Sequence, residues 1–230
     1  MSKRTRKRTR GGKRETNWLV IGGIVAVGII VIVLLALTLR DPDSSSEALS
    51  ALGEYCQNNP DNCIAKGDPD APVTIVEISD YGCGHCRDFN LETAPVLDSE
   101  YVATDDVYWI VLPYALRNET VPASASAMCA AEQDAYFEYH EKMFEYLTTP
   151  VALTPAGFLQ AAGDIGLNLE EFNACLESGR NTSVIIANAE AARNAGVGVT
   201  PTFFVNDEKL EGNFPLETFR ERIEAVTTGS

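Results

Sequence analysis

Asp80-Tyr81-Gly82-Cys83-Gly84-His85-Cys86-Arg87-Asp88-Phe89 is the stretch on which the reading of this chain turns. Just upstream, residues 73–79 (Val-Thr-Ile-Val-Glu-Ile-Ser) are rich in β-branched side chains and read as a buried strand. Downstream, Phe89, Leu91, Ala94, Pro95 and Leu97 fall on a segment that reads as a helix. A Cys-X-X-Cys at that junction puts Cys83 at a helix N-terminus, where unpaired N–H groups and the helix dipole favour an anion. For cysteine the anion is the thiolate, the form that attacks disulfides. The helix end contributes at most about 2 kcal/mol. Lowering a thiol from about 8.5 to about 4 requires roughly 6 kcal/mol. Hydrogen bonds from backbone N–H groups and the Cys86 thiol, with a favourable interaction from His85, have to supply the remainder.

The N-terminus sets the compartment. Eight Lys and Arg between Lys3 and Arg14 precede the 22 uncharged residues from Trp18 to Leu39. At about 1.5 Å per residue that run spans roughly 33 Å, enough to cross a bilayer core. The basic block stays in the cytoplasm by the positive-inside rule, so the chain after Arg40 is expected on the far side. A cleaved signal peptide is the competing reading. Its apolar region would be shorter, and Leu37-Thr38-Leu39-Arg40 is a poor cleavage site. The expected division is a basic cytoplasmic segment at 1–17, a membrane anchor at 18–39, an extracytoplasmic linker at 40–69 and a globular domain at 70–228.

Charge narrows the partners. Residues 1–40 hold nine of the 18 basic residues and one of the 33 acidic ones, leaving 9 against 32 and a formal charge of −23 on the remainder. Nucleic-acid binding needs clustered Lys and Arg, so the exported part is not expected to use it.

Beyond the anchor, Asp41 to Ser50 reads as a polar tether and Glu47 to Tyr55 as a short helix. The helix that starts at the cysteines is expected to run to about Glu100. Val107 to Leu112 reads as a second strand ended by Pro113. A helical block then occupies about 119–194. Within it Ala123 to Leu147 reads as one stretch, Thr154-Pro155 as cap and first position of another, and Leu167 and Asn181 as starts of two more. Thr202 to Val205 returns to strand, Asn206-Asp207 to a turn, Lys209-Leu210 to a hairpin partner, and Leu216 to Val226 to a closing helix. The class is α/β with a helical insertion.

Three separated pieces in this order resemble the DsbA-like branch of the thioredoxin-fold proteins: the strand leading to Cys83-Gly84-His85-Cys86, the helical block, and Gly198-Val199-Thr200-Pro201-Thr202-Phe203-Phe204-Val205-Asn206. The resemblance implies a thiol–disulfide oxidoreductase with Cys83 as nucleophile and Cys86 as its partner in a redox-active disulfide. It implies a cis Pro201 beside the cysteines, with Gly84, Thr200 and Pro201 meeting an extended substrate. Proteins of this fold often carry a buried acid near Cys86, and Glu77 stands where it would be. Alternation through Ile75, Glu77 and Ser79 leaves open whether that carboxylate faces inward. No cofactor and no metal are implied. The partners would be thiols of exported proteins and a membrane redox protein.

The chain departs from the branch at Gly84-His85. The strong oxidases carry Pro-His there, and Gly-His is typical of protein disulfide isomerases. The direction of electron flow therefore stays open between oxidase and isomerase or reductase. A non-catalytic peptide-binding module would be expected to have lost a cysteine, and both are present.

Four further cysteines suit structural disulfides in an exported protein. Locality pairs Cys56 with Cys63 and Cys129 with Cys175; free thiols at 129 and 175, or zinc held by Cys56, Cys63, Cys83 and Cys86, are the alternatives. His85, between the active cysteines, is a candidate functional residue. His140 reads as a helix-surface residue, and Tyr81, Phe89 and Phe203 as core or groove lining.

Overall fold

Val73–Ile78 forms β2, the centre of a five-stranded sheet. It is buried on both faces, which is why its sequence is a near-continuous apolar run and not a polar alternation. The strand order is β1-β3-β2-β4-β5, with β1 at Ile64–Lys66, β3 at Val107–Val111, β4 at Thr202–Val205 and β5 at Glu208–Glu211. Only β2 and β3 run parallel; β1, β4 and β5 are antiparallel to their neighbours. The structure, a computed structural model, describes residues 43–206 and 208–227, with side chains from residue 51 onward. The basic segment and the anchor expected at 1–17 and 18–39 lie outside the described residues, as does Asp207 of the expected turn.

Strand periodicity divides the core in two. Val73, Ile75, Trp109, Val111, Phe203 and Val205 face the larger half, where Phe89, Phe219 and the helical block pack. Val76, Ile78, Ile110, Leu112 and Phe204 face the other half, covered by Leu52 and by Ala189, Ala192 and Val197. Glu77, two residues after Ile75, consequently points into the larger half, next to the cysteine-bearing helix. Its parity settles what alternation alone left open.

The cysteine-bearing helix starts as α2 (Gly84–Asp88), widens into a π-helical turn at Phe89–Thr93, tightens again as α3 (Ala94–Leu97) and ends in a second π-helical turn at Asp98–Val102. Pro95 has no N–H to give the preceding turn, which accounts for the first irregularity. The whole segment bends over the sheet and seats Phe89 4.3 Å, ring centre to ring centre, from Phe203.

Two stretches differ from the sequence reading. The segment read as tether and linker contains helix α1 (Asp43–Asn58), which begins before Glu47, and the edge strand β1. Leu52 of α1 is fully buried, so this segment is part of the domain's core. The expected single helix from Ala123 to Leu147 is two, α4 (Val121–Ala131) and α5 (Tyr136–Tyr146). Asp134 between them takes φ of 57°, the left-handed conformation that ends a helix and that Asp tolerates better than most residues. That break turns α5 back against α4 and the cysteine-bearing helix.

The rest of the insertion is α6 (Pro155–Asp164), α7 (Leu169–Ser178) and α8 (Thr182–Asn194). Thr154 Oγ1 accepts from the Gly157 N–H, and Asn168 Oδ1 from those of Glu170 and Glu171, capping α6 and α7. The closing helix α9 (Leu216–Thr227) buries Phe219 and Ile223 against the larger half of the core. Cys56 is bonded to Cys63 and Cys129 to Cys175, with Cα separations of 5.6 and 5.7 Å. The first bond removes two of the four sulfurs that the zinc reading required.

Candidate active site

Cys83 occupies the N-cap of α2 with extended backbone, so its Sγ accepts from the Cys86 N–H at 3.3 Å. The adjacent peptide Thr200–Pro201 is cis. It presents the Thr200 carbonyl to Cys83 at 3.3 Å from Sγ, where the protonated thiol donates to it. Both thiols are free, Cys83 partly exposed and Cys86 completely buried. Gly84 and His85 are exposed on the first turn, and a Cβ at Gly84 would meet nothing within 4 Å, leaving the approach to Cys83 open.

The two sulfurs are driven apart electrostatically. The thiol of Cys86 donates to the Cys83 thiolate. Despite the opposing effect of burial, that bond, with further hydrogen bonds from the Thr200 side chain and the N–H groups of Cys86 and His85, brings Cys83 down to about 5. Burial pushes the Cys86 thiol far up, and its bond to the Cys83 sulfur adds to that. One sulfur is therefore a thiolate at neutral pH while its neighbour holds a proton.

Asp80 fixes the loop that carries them. Its carboxylate accepts from the Gly82 N–H, the Leu116 N–H and the Thr120 hydroxyl, each at 2.6 Å. These bonds join the cysteine loop to the start of the insertion. Gly82 is required there because a Cβ would sit 2.8 Å from Thr120 Cγ2 and 3.1 Å from Asp80 Oδ1.

Below Cys86, Glu77 is 1% exposed. Oε1 accepts from Ser79 Oγ at 2.5 Å and Asn90 Nδ2 at 2.8 Å, and Oε2 from Trp109 Nε1 at 3.1 Å. Asn90 also donates to the Cys86 carbonyl at 3.1 Å, linking the acid to the cysteine's own turn. Burial alone would raise this carboxyl. Attraction from His140 and the Ser79 and Asn90 hydrogen bonds outweigh it and hold it below the ordinary carboxylate range.

His140 corrects the sequence reading. It is 5% exposed, stacks on Tyr136 with 5.3 Å between ring centres, and places Nδ1 2.6 Å from the Tyr81 hydroxyl. The signal was present in the sequence: Tyr136, Tyr139, His140, Met143 and Phe144 follow the spacing of one helix face, and all five are buried. Tyr81, Phe89 and Phe203 are core, and Tyr81 in addition bonds His140. Asp80, Asn90 and Trp109 had no sequence signal, because their roles depend on strand and helix packing across long separations.

Comparison with known proteins places the fold. A family model described as thioredoxin matches residues 59–225. The chain is 31% identical over 167 residues to the Na(+)/H(+) antiporter NhaA 3 of Salinispora tropica, covering 69% of this chain and 24% of that protein. It is 25% identical over 173 residues to disulfide bond formation protein D of Bacillus subtilis, covering 71% of this chain and 76% of that one. The chain spans about a quarter of the length of the first curated relatives it matches. Among solved structures, oxidised BdbD from Bacillus subtilis superposes with a TM-score of 0.63 at 23% identity, over 72% of this chain and 92% of that one. DsbA of Chlamydia trachomatis gives 0.66 at 23%, over 72% and 92%.

Proposed function

This chain belongs to the thioredoxin family, and from that premise we propose that it is a thiol–disulfide oxidoreductase of the DsbA type that passes a Cys83–Cys86 disulfide to exported proteins. The observation that carries the reading is the split pair of thiols, Cys83 held at about 5 beside the cis peptide and Cys86 buried with its thiol pushed up.

The chemistry follows from that split. A substrate thiolate attacks Cys83 Sγ of the oxidised enzyme, the Cys83–Cys86 bond breaks, and Cys86 leaves as a thiolate that must be protonated. A second substrate thiolate then attacks the substrate's own sulfur in the mixed disulfide, and Cys83 leaves as a stable anion. Two electrons pass from the substrate dithiol to the enzyme. Of the two protons released, one ends on Cys86 and one in solvent. Glu77 transfers the proton at Cys86. The Thr200 backbone beside Pro201, and the open face at Gly84, receive the extended substrate. Stabilising the Cys83 thiolate favours the reduced enzyme, which makes its disulfide oxidising.

The uncharged run from Trp18 to Leu39 behind a basic block supports a single-pass anchor with the catalytic domain outside the cytoplasm. A membrane oxidant would then restore the disulfide. Gly84-His85 favours an isomerase or reductase as the second reading. Refolding of reduced ribonuclease distinguishes them. The oxidised protein is expected to restore ribonuclease activity stoichiometrically, and Cys83→Ser to abolish this. Reduction of insulin without oxidation of ribonuclease would overturn the oxidase reading.

A further inference from the structure

The mechanism above requires a proton for Cys86, and Glu77 alone stores it poorly. Three hydrogen bonds, from Ser79, Asn90 and Trp109, are donated to this carboxylate, and all three favour its ionised form. The needed proton lies one residue away. His140 Nε2 has no hydrogen-bond partner although the ring is buried, and it points at Glu77 Oε1 from 3.7 Å. On the other side of the ring the Tyr81 hydroxyl meets Nδ1 at 2.6 Å. Burial pushes the Tyr81 hydroxyl well up, so it remains a phenol. In the protonated ring both nitrogens carry a hydrogen, Nδ1–H donating to the Tyr81 hydroxyl oxygen and Nε2–H directed at Glu77.

The pair is also within reach of the outside. A cleft of about 320 Å³ is lined by both Glu77 and His140. Its other polar walls are Lys66 of β1, Asn90, Asp98 and Ser99 of the bent helix, Trp109 of β3, and Glu138 and Glu141 of α5. Lys66 is engaged with Asp98 at 2.8 Å and stands over the Trp109 and Phe137 rings, so its charge is already committed. Tyr81 and Tyr136 close the ring's remaining sides. Polar walls and this volume admit water.

We infer that His140, carried by the helical insertion, is a positioning residue that holds the proton which Glu77 passes to Cys86, and that the cleft is the route by which it is replaced. This rests on the disulfide-exchange reading above. When Cys86 is expelled from the Cys83–Cys86 bond, the Glu77 carboxylate takes a proton from Nε2 of the His140 imidazolium and gives it to the Cys86 thiolate. Glu77 is left a carboxylate and His140 neutral. Water in the cleft returns one proton to the ring. No electron passes through the pair; both go from the substrate dithiol to the disulfide.

The test measures the rate at which oxidised protein reacts with dithiothreitol between pH 5 and 9. The Cys83 titration is followed separately by thiolate absorbance. Variants are His140→Gln, His140→Phe, Glu77→Gln and the Glu77→Gln/His140→Gln pair. His140→Gln keeps a polar group of similar reach for Tyr81 and serves if the Phe ring is not accommodated. The inference expects each His140 variant to slow exchange at neutral pH by about 10-fold or more, the low side of general acid–base contributions. It expects a flattened pH profile, an unmoved Cys83 titration, and a double variant no slower than Glu77→Gln alone. A His140→Gln protein at the parent rate, or one whose loss multiplies with that of Glu77→Gln, would overturn it. If Glu77→Gln is slow while His140→Gln is not, this inference alone fails. If Glu77→Gln runs at the parent rate, the role given to Glu77 in the proposed function fails as well.

Discussion

Replacing Cys86 by Ala should raise the Cys83 pKa more than any other single change around the sulfur. The Cys86 thiol is the strongest of the groups that lower Cys83, ahead of the Thr200 side chain and the N–H groups of Cys86 and His85. A hydrogen bond to a charged acceptor contributes about 1.5–3 kcal/mol. At about 1.36 kcal/mol per unit, its loss moves the titration up by about 1–2 units. Cys83 would then shift from about 5 to between about 6 and 7. The backbone N–H of Cys86, 3.3 Å from Sγ, survives the substitution and prevents a full return to an ordinary thiol. Cys86→Ser keeps an O–H donor and should stay close to the parent. Thiolate absorbance near 240 nm between pH 3 and 10, with Cys83→Ser as the blank, reads all three proteins. A Cys86→Ala protein that still titrates at or below about 5.5 would refute the reasoning and assign the thiolate's stability to the helix N-terminus and backbone.

Other outcomes follow from the same structure. The folded Cys83 pKa is depressed, so its contribution to the reduced protein's stability is complete above the unfolded thiol's range and is lost as pH falls through about 5. The stability gap between reduced and oxidised protein in urea should therefore widen with pH between about 5 and 9, by less than the limiting 1.4 kcal/mol per unit because Cys83 is partly exposed. A gap independent of pH would count against a folded-state thiolate. Gly82→Ala forces a methyl against Thr120 Cγ2 and Asp80 Oδ1 and should cost about 1–3 kcal/mol in urea denaturation; a neutral result would mean the loop relaxes freely. Removing Cys129–Cys175, which closes 46 residues, should cost about 4 kcal/mol in the loop-entropy account, against about 2.5 for Cys56–Cys63, which closes 7. Equal losses in thermal unfolding would reject loop length as the deciding factor.

Much of this site was legible in the sequence because its chemistry is local. Cys83 and Cys86 share one helical turn, Gly82 and Gly84 flank Cys83, and Thr200-Pro201 stands directly before β4. The buried acid was half legible. Glu77 was at the right distance from Cys83, but its face is set by which half of the core Ile75 and Val73 enter, and that is decided by β3, β4 and the insertion. His140 was misread because its flanking Glu141 and Lys142 suggest a solvated face, whereas the buried stripe from Tyr136 to Phe144 includes it. β1 is three residues long and exists through its pairing with β3, so no pattern within it could announce a strand. The α4–α5 break lay at Asp134, where neither Gly nor Pro marks the left-handed residue.

The central claim is that Cys83–Cys86 is an oxidising disulfide whose reduced form is stabilised by the Cys83 thiolate. Equilibrating the purified protein in glutathione buffers of graded ratio at pH 7, and quantifying the reduced fraction, gives its potential directly. The account predicts a value above the roughly −180 mV of protein disulfide isomerase, on the side of the roughly −120 mV of DsbA. A value near the roughly −270 mV of thioredoxin would contradict it and make the protein a reductase.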